Sequence, residues 1–166
     1  MPSETCKWLQ PSLFGNRQPV PVGDDYDHDT WRTPPEVFKA AEKIMGQKFN
    51  FDAACTTENK MCEQGAFFDL GISGLEAQWG SVTWCNPPYS DIQPWIEKAA
   101  IERDKNCRKS CLLIPCDPST KTFRLCVDLG AKIYMISGRL AFLHPVTGKP
   151  IQGIKTGSML VIFEKF

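Results

Sequence analysis

The 166-residue chain has no run of about 18 apolar residues, so no segment reads as a membrane-spanning helix. Its start, MPSETCKWLQ, lacks a basic stretch followed by an apolar one, and no secretory signal is expected. No CxxC pair is present, so the usual mark of a zinc site is missing and no metal is expected. Low-complexity stretches, internal repeats and a net charge are absent as well, which argues against a disordered chain or a repeat array. A chain of this length buries roughly 70% of its unfolded surface, enough for one core but short for two. The expectation is one soluble, intracellular domain.

What is present starts with eight cysteines, at positions 6, 55, 62, 85, 107, 111, 116 and 126. With a full core available the fold needs no disulfide staples, and small buried thiols are the simplest reading. The zero net charge conceals a split. Residues 1–97 carry 7 Lys and Arg against 14 Asp and Glu, whereas residues 98–166 carry 12 against 5. The second half suits a polyanion if the halves stay apart in space; if they interleave, the field cancels.

Residues 1–30, rich in Pro, Gly and Asp, show no periodicity and read as an arm or loop ahead of a domain over 31–166. Thr33 resembles an N-cap with Pro34 at the first helical position, and Gly46 ends that helix. Strands are expected at 49–53, 66–68, 81–85, 110–115, 132–136, 139–143 and 158–163. Ser90 and Gln93 suggest a capping box for a helix with the stripe Ile92, Trp95, Ile96, Ala99 and Ala100. A further helix is expected from Ser119 to Leu129. This alternation predicts an α/β sheet, mostly parallel with an antiparallel C-terminal edge. Ligands of such sheets bind beyond the carboxyl ends of the strands, so Asp52, Asp69 and Asn86, read as strand-end residues, are expected to share one crevice.

The segment that speaks to chemistry is Trp84-Cys85-Asn86-Pro87-Pro88-Tyr89. Two prolines after a strand make a stiff turn that holds the Asn86 side chain and the Pro87 carbonyl in place. Both are acceptors, and Tyr89 adds an aromatic face. That set matches an exocyclic NH₂ on a planar base, whose nitrogen lone pair is delocalised into the ring. Acceptors for its protons favour the pyramidal nitrogen that can attack an electrophilic methyl.

Asn-Pro-Pro-Tyr resembles motif IV of the amino methyltransferases. The ordered set Trp31-x-Thr33-Pro34, Phe51-Asp52-Ala53-Ala54-Cys55 with Asn59, Gly74-Leu75 with Trp79, Trp84 to Tyr89 with Trp95, Leu112 to Pro115, Gly138-Arg139-Leu140-x-Phe142 and Ser158 to Phe163 is similar to the phage-type DNA N6-adenine methyltransferases (Dam). The resemblance implies a Rossmann-like fold, S-adenosylmethionine as cofactor, and double-stranded DNA as partner in the cytoplasm of a bacterial host. It implies cofactor contacts from Thr33 and Pro34 at the methionine end, from Asp52 and Ala53 near the amino group, from Asn59, from Asp69 near the adenine, and from Asn86. Asn86, Pro87 and Tyr89 are the expected catalytic residues.

Two features depart from that pattern. The segment after Asp52, Asp-Ala-Ala-Cys-Thr-Thr-Glu-Asn, is not glycine-rich, and only 16 residues separate Asp52 from Asp69, so the ribose-binding strand is expected to be short or missing. Glu58 or Asn59 is then a candidate for the ribose. An amino nitrogen can be methylated directly, so Cys85 is read as a buried strand residue, and neither His28 nor His144 is required. The base must leave the duplex to reach such a crevice, with Tyr89 stacking on it. Candidate recognition segments are 1–30, Asp117 to Lys121, and the loop from Arg139 through Lys155, in which Arg139, Lys149 and Lys155 are expected on phosphates. Two alternatives stay open: a methyltransferase acting on RNA or protein, and a non-catalytic DNA-binding module.

Overall fold

The computed structural model describes residues 6–10, 28–151 and 154–165. In chain order these form β1 (Cys6–Leu9), α1 (Pro35–Met45), β2 (Phe51–Cys55), β3 (Gly65–Phe67), β4 (Val82–Cys85), α2 (Gln93–Asn106), β5 (Lys109–Cys116), α3 (Lys121–Asp128), β6 (Lys132–Ile136) and β7 (Gly157–Phe163). One seven-stranded sheet runs β1-β6-β7-β5-β4-β2-β3. Every pairing is parallel except those of β7, which lies antiparallel between β5 and β6.

The apolar run of β5 is explained by cover on both faces. Cys111 and Leu113 pack in a cluster with Val37, Ala41, Phe49 and Trp84, the side taken by α1. Leu112 and Ile114 pack in a second cluster with Trp95, Ile96, Ala99 and Cys126, the side taken by α2 and α3. All four β5 side chains are fully buried, and burying an aliphatic side chain of this size contributes about 1.5–3 kcal/mol. The result is a three-layer α/β/α fold, as expected for a mostly parallel sheet.

Several local expectations are corrected. Helix α1 starts at Pro35, one residue late, and Pro34 is its extended N-cap with φ −61° and ψ 133°. The cause is Pro35, whose ring disfavours helical ψ at the residue before it. Thr33 is therefore not the cap. Ser90 forms no capping box either: its backbone N–H and hydroxyl both donate to the Asp29 carboxylate, while Gln93 bonds Glu97. Residues 139–143 are not a strand. Gly138, at φ +82°, turns the chain away after β6, and both flanks of β6 are already taken by β7 and β1.

That last pairing corrects the N-terminal reading too. Cys6–Leu9, expected in a loose arm, is an edge strand of the sheet, whereas 1–5 and 11–27 lie outside the described residues. All eight cysteines are free, and five are buried; Cys107 is exposed, against expectation, where it ends α2 with φ +54°.

Gly74 is a close-approach position. A Cβ there would lie 1.8 Å from the Ala53 carbonyl oxygen and 2.7 Å from the Trp95 ring, while the Trp79 indole donates to the Gly74 carbonyl at 2.7 Å. Gly74→Ala must push apart β2 and the 73–79 loop. The expected cost is about 1–3 kcal/mol of overpacking, read as a lower urea midpoint; an unchanged midpoint contradicts this packing.

Candidate active site

β2 and β4 begin as paired strands, with Phe51 opposite Thr83 and Asp52 opposite Trp84, and the pairing stops there. Beyond it the chain from β2 leads outward to β3 and the chain from β4 leads through α2 to β5 on the other side. This is the switch point of the sheet, where α/β folds open a crevice. Asp52 stands at the fork, three residues inside the end of β2 rather than at the strand end that the sequence suggested.

Asp52 is 2% exposed. Its carboxylate accepts from Met61 N at 2.9 Å and from Ala54 N at 3.3 Å. Burial outweighs those bonds and raises its pKa from 3.8 to about 6. A carboxylate pushed up by desolvation is a natural counterpart for a bound cation. Ala53 is fully buried beside Trp79 and Trp95, so only its backbone can reach a ligand.

The loop after β2 has no glycine before Gly65, yet it is well built. Asn59 Oδ1 accepts from Thr56 N at 2.6 Å, and its N–H bonds the Thr56 hydroxyl. The exposed Asp69, in the turn after β3, accepts from Thr57 N at 3.0 Å and from the Thr57 hydroxyl. Those bonds hold its carboxyl below the usual range, the Thr57 hydroxyl contributing most. The strand expected to be short or missing is thus present as three-residue β3, parallel to β2.

Asn86 follows β4 directly, where Pro87 and Pro88 stop the ladder by removing two donors. Its Nδ2 donates to the Trp31 carbonyl at 3.4 Å. The reverse amide orientation would set oxygen against oxygen, so the bond fixes which way the amide faces. Its Oδ1 is buried with no partner among the described residues. An acceptor stripped of water and left open is suited to a donor that arrives with a ligand.

Tyr89 donates its hydroxyl to the Leu113 carbonyl at 3.3 Å, and burial keeps that phenol protonated. Its ring meets Phe142 edge-on at 6.1 Å, and Phe142 lies 5.8 Å from Trp31. These three rings, with Pro115, Lys155 and Ser158, line a cleft of about 460 Å³, within the usual range for small-molecule sites (about 300–1,000 Å³). A groove of equal size at the end of α1 is lined by its own charged side chains and lies at no strand end.

The segment 29–33 crosses this region as a strap. Besides the bonds of Asp29 and Trp31, Arg32 pairs its backbone with Leu143 in both directions, at 2.9 and 3.0 Å, and its guanidinium lies 3.7 Å from Glu58. Thr33 is 5% exposed and Pro34 is buried beside it. Of the cations expected on DNA, Lys155 lines the cleft, and the Arg139 guanidinium reaches Gly157 on its rim. Lys149 is exposed further along the same loop. Asp29 had no assigned role in the sequence, Ser90 was assigned only a helix cap, and Phe142 and Pro115 belonged to motifs of the family resemblance without a site role; the Asp29–Ser90 contact spans 61 positions and leaves no local signal. Cys85 is fully buried and its pKa is raised well above the ordinary thiol value by burial, the wrong state for a nucleophile. No group of three or more metal-ligating side chains occurs among the described residues.

The Asn-Pro-Pro-Tyr turn, set directly after β4 at the switch point of a mostly parallel sheet, resembles motif IV of the amino methyltransferases. Comparison with known proteins narrows this. Residues 23–166 match the family DNA N-6-adenine-methyltransferase (Dam). A DNA N-6-adenine-methyltransferase of Escherichia phage T1 is 33% identical over 97% of this chain and 71% of its own length. One from Haemophilus phage HP1 is 32% identical over 83% of this chain and 80% of its own. The chain belongs to the DNA N-6-adenine-methyltransferase (Dam) family.

The Asp52 shift has a stability consequence. Its folded pKa of about 6 lies above the ordinary 3.8, so its neutral form favours the fold below about pH 4, and that contribution is lost as pH rises through 6. Comparing Asp52→Asn with the unsubstituted chain by urea unfolding, without cofactor, the difference is expected to move toward the variant by about 2–3 kcal/mol between pH 4 and pH 7.5. A pH-independent difference contradicts the desolvated site.

Proposed function

We propose that this chain methylates N6 of adenine in DNA, with S-adenosylmethionine as donor, in the cytoplasm of a bacterium that carries a phage or prophage. The observation that carries the reading is the buried Oδ1 of Asn86, without a partner among the described residues, on a side chain that bonds the cleft-lining Trp31. When bound, the cofactor supplies an electrophilic methyl group. The residues at the fork fit it: Asp52 offers a desolvated carboxylate to its ammonium, Asp69, in the turn after β3, is assigned to its adenine, and Glu58 or Asn59 is the candidate for its ribose. Thr33, Pro34, Ala53 and Asn59 are the further residues assigned to the cofactor.

The target amino group is a weak nucleophile in the plane of its ring. Asn86 Oδ1, with the Pro87 carbonyl, accepts its protons and favours the pyramidal nitrogen. Because these acceptors are held before the reaction starts, no reorganisation is needed as charge develops. Tyr89, fixed by the Leu113 carbonyl, offers its ring face to the base. The adenine reaches this cleft by leaving the duplex. Arg139, Lys149 and Lys155 take phosphates. The basic half of the chain builds the contiguous strands β5, β7 and β6, with β1 of the acidic half paired at their outer edge.

Purified protein incubated with S-adenosylmethionine and unmethylated DNA should yield N6-methyladenine on nucleoside digestion and mass spectrometry, and Asn86→Ala should yield about 10²–10³-fold less over the same initial interval. No methylated base would contradict the DNA reading and direct attention to RNA or protein acceptors; failure to bind S-adenosylmethionine by calorimetry would leave a DNA-binding module.

Two further outcomes are expected. Cofactor affinity should be level near pH 7 and fall as pH drops below 6, approaching tenfold per unit as Asp52 takes up its proton, because a neutral carboxyl cannot pair with the ammonium. Titration by calorimetry checks it, and Asp52→Asn should bind weakly at every pH. Replacing Lys149 and Lys155 by Gln should weaken DNA binding and reduce the salt slope by about 0.9 for each phosphate that is no longer neutralised; an unchanged slope rules out a phosphate role for both lysines.

A further inference from the structure

The loop between β6 and β7 holds a feature that neither cofactor nor base requires. Residues 142–151 form a short antiparallel hairpin. Ile151 N bonds the Phe142 carbonyl at 2.7 Å, Leu143 bridges Pro150, and His144 N bonds the Lys149 carbonyl at 2.9 Å. Its turn is braced from inside. The buried His144 accepts at Nδ1 from Val146 N at 3.2 Å and from Thr147 N at 3.1 Å, and its carbonyl takes Gly148 N at 2.9 Å. Gly148, at φ +66°, supplies the left-handed step the turn needs. On the outer side, Arg32 of the strap pairs with Leu143.

So much bracing presents one apolar side chain to solvent. Val146 is 72% exposed at the tip of this turn. Most exposed apolar residues need no explanation, but this one is held by a buried histidine. It also belongs to the loop that supplies Phe142, Ile154 and Lys155 to the cleft wall. Exposed Lys149 follows three residues later.

We propose that Val146 is a wedge that enters the DNA base stack as the target adenine leaves it. The inference rests on the reading of the cleft as the place of the extruded adenine. Extrusion breaks a base pair and the stacking on both sides of the base, which costs a few kcal/mol, and an apolar side chain placed in the gap offsets part of that. Charge complementarity favours a nucleic acid as the occupant: Lys149, on the returning arm of the hairpin, and Lys155, just beyond it, bring positive charge to the same loop and would meet the backbone beside the vacated position. A braced tip loses little conformational freedom on insertion, which gives the His144 contacts a purpose.

The test uses full-length protein, S-adenosylmethionine, and short duplexes containing a sequence that the unsubstituted enzyme methylates. The target adenine is placed opposite either thymine or an abasic site, where extrusion no longer breaks a pair. Val146→Gly is expected to methylate the fully paired duplex about tenfold more slowly and the abasic duplex at nearly the unsubstituted rate. Val146→Leu, which keeps an apolar tip, is expected to retain activity on both. Equal slowing on the two duplexes, or none on the paired one, overturns the wedge while leaving the methyltransferase reading intact. An unsubstituted enzyme that methylates adenine in no duplex overturns the reading on which the wedge rests.

Discussion

The hydrogen bond from the Asn86 amide to the Trp31 carbonyl is where the two halves of the site meet. β4 delivers Asn86 from the middle of the sheet, held by β2 on one side and β5 on the other. The strap delivers Trp31 from 55 positions earlier. The prolines after Asn86 prevent the strand from continuing, and the strap prevents the amide from turning over. What remains is one buried oxygen with a fixed direction and no partner among the described residues. Leaving an acceptor so desolvated is costly unless a ligand restores the missing bond.

A similar cost is seen at Asp52. A buried carboxylate at the fork of β2 and β4 destabilises the empty protein at neutral pH, with burial outweighing two backbone donors. Asp69 behaves differently. It is exposed, and its carboxylate ties down Thr57, so it shapes the loop that a glycine-rich turn would otherwise form. The two acids therefore differ in setting: one is buried and desolvated, the other exposed and bonded to the loop it orders.

Much of this was legible in the sequence wherever the signal was local. The run Cys-Leu-Leu-Ile announced a strand covered on both faces, and Asn-Pro-Pro-Tyr after an apolar strand announced a rigid pair of acceptors. The failures share a cause in long-range partners. Ser90 has the spacing of a helix cap, but its donors go to Asp29, 61 positions away. Cys6–Leu9 is four residues without periodicity, and only its pairing with β6 makes it a strand. That same pairing leaves residues 139–143 without a ladder to join. Thr33 was misread for a local reason, because Pro35 moved the cap to Pro34. Phe142 and Pro115 stood out only as members of the resembling motifs; their place in the cleft wall was not legible, since no spacing brings those residues to Tyr89.

The central claim is that the Asn86 side-chain oxygen accepts from the reacting amino group. Single-turnover methylation by Asn86→Asp and Asn86→Ala, each saturated with S-adenosylmethionine and DNA, tests it most directly. Asp keeps an oxygen in place while losing the bond to Trp31, so its rate should fall between the other two; Ala should be slower than the unsubstituted enzyme by about 10²–10³, the usual cost of losing a preorganised group at a developing charge. Equal slowing in both variants, or an alanine rate within tenfold of the unsubstituted enzyme, would contradict the account.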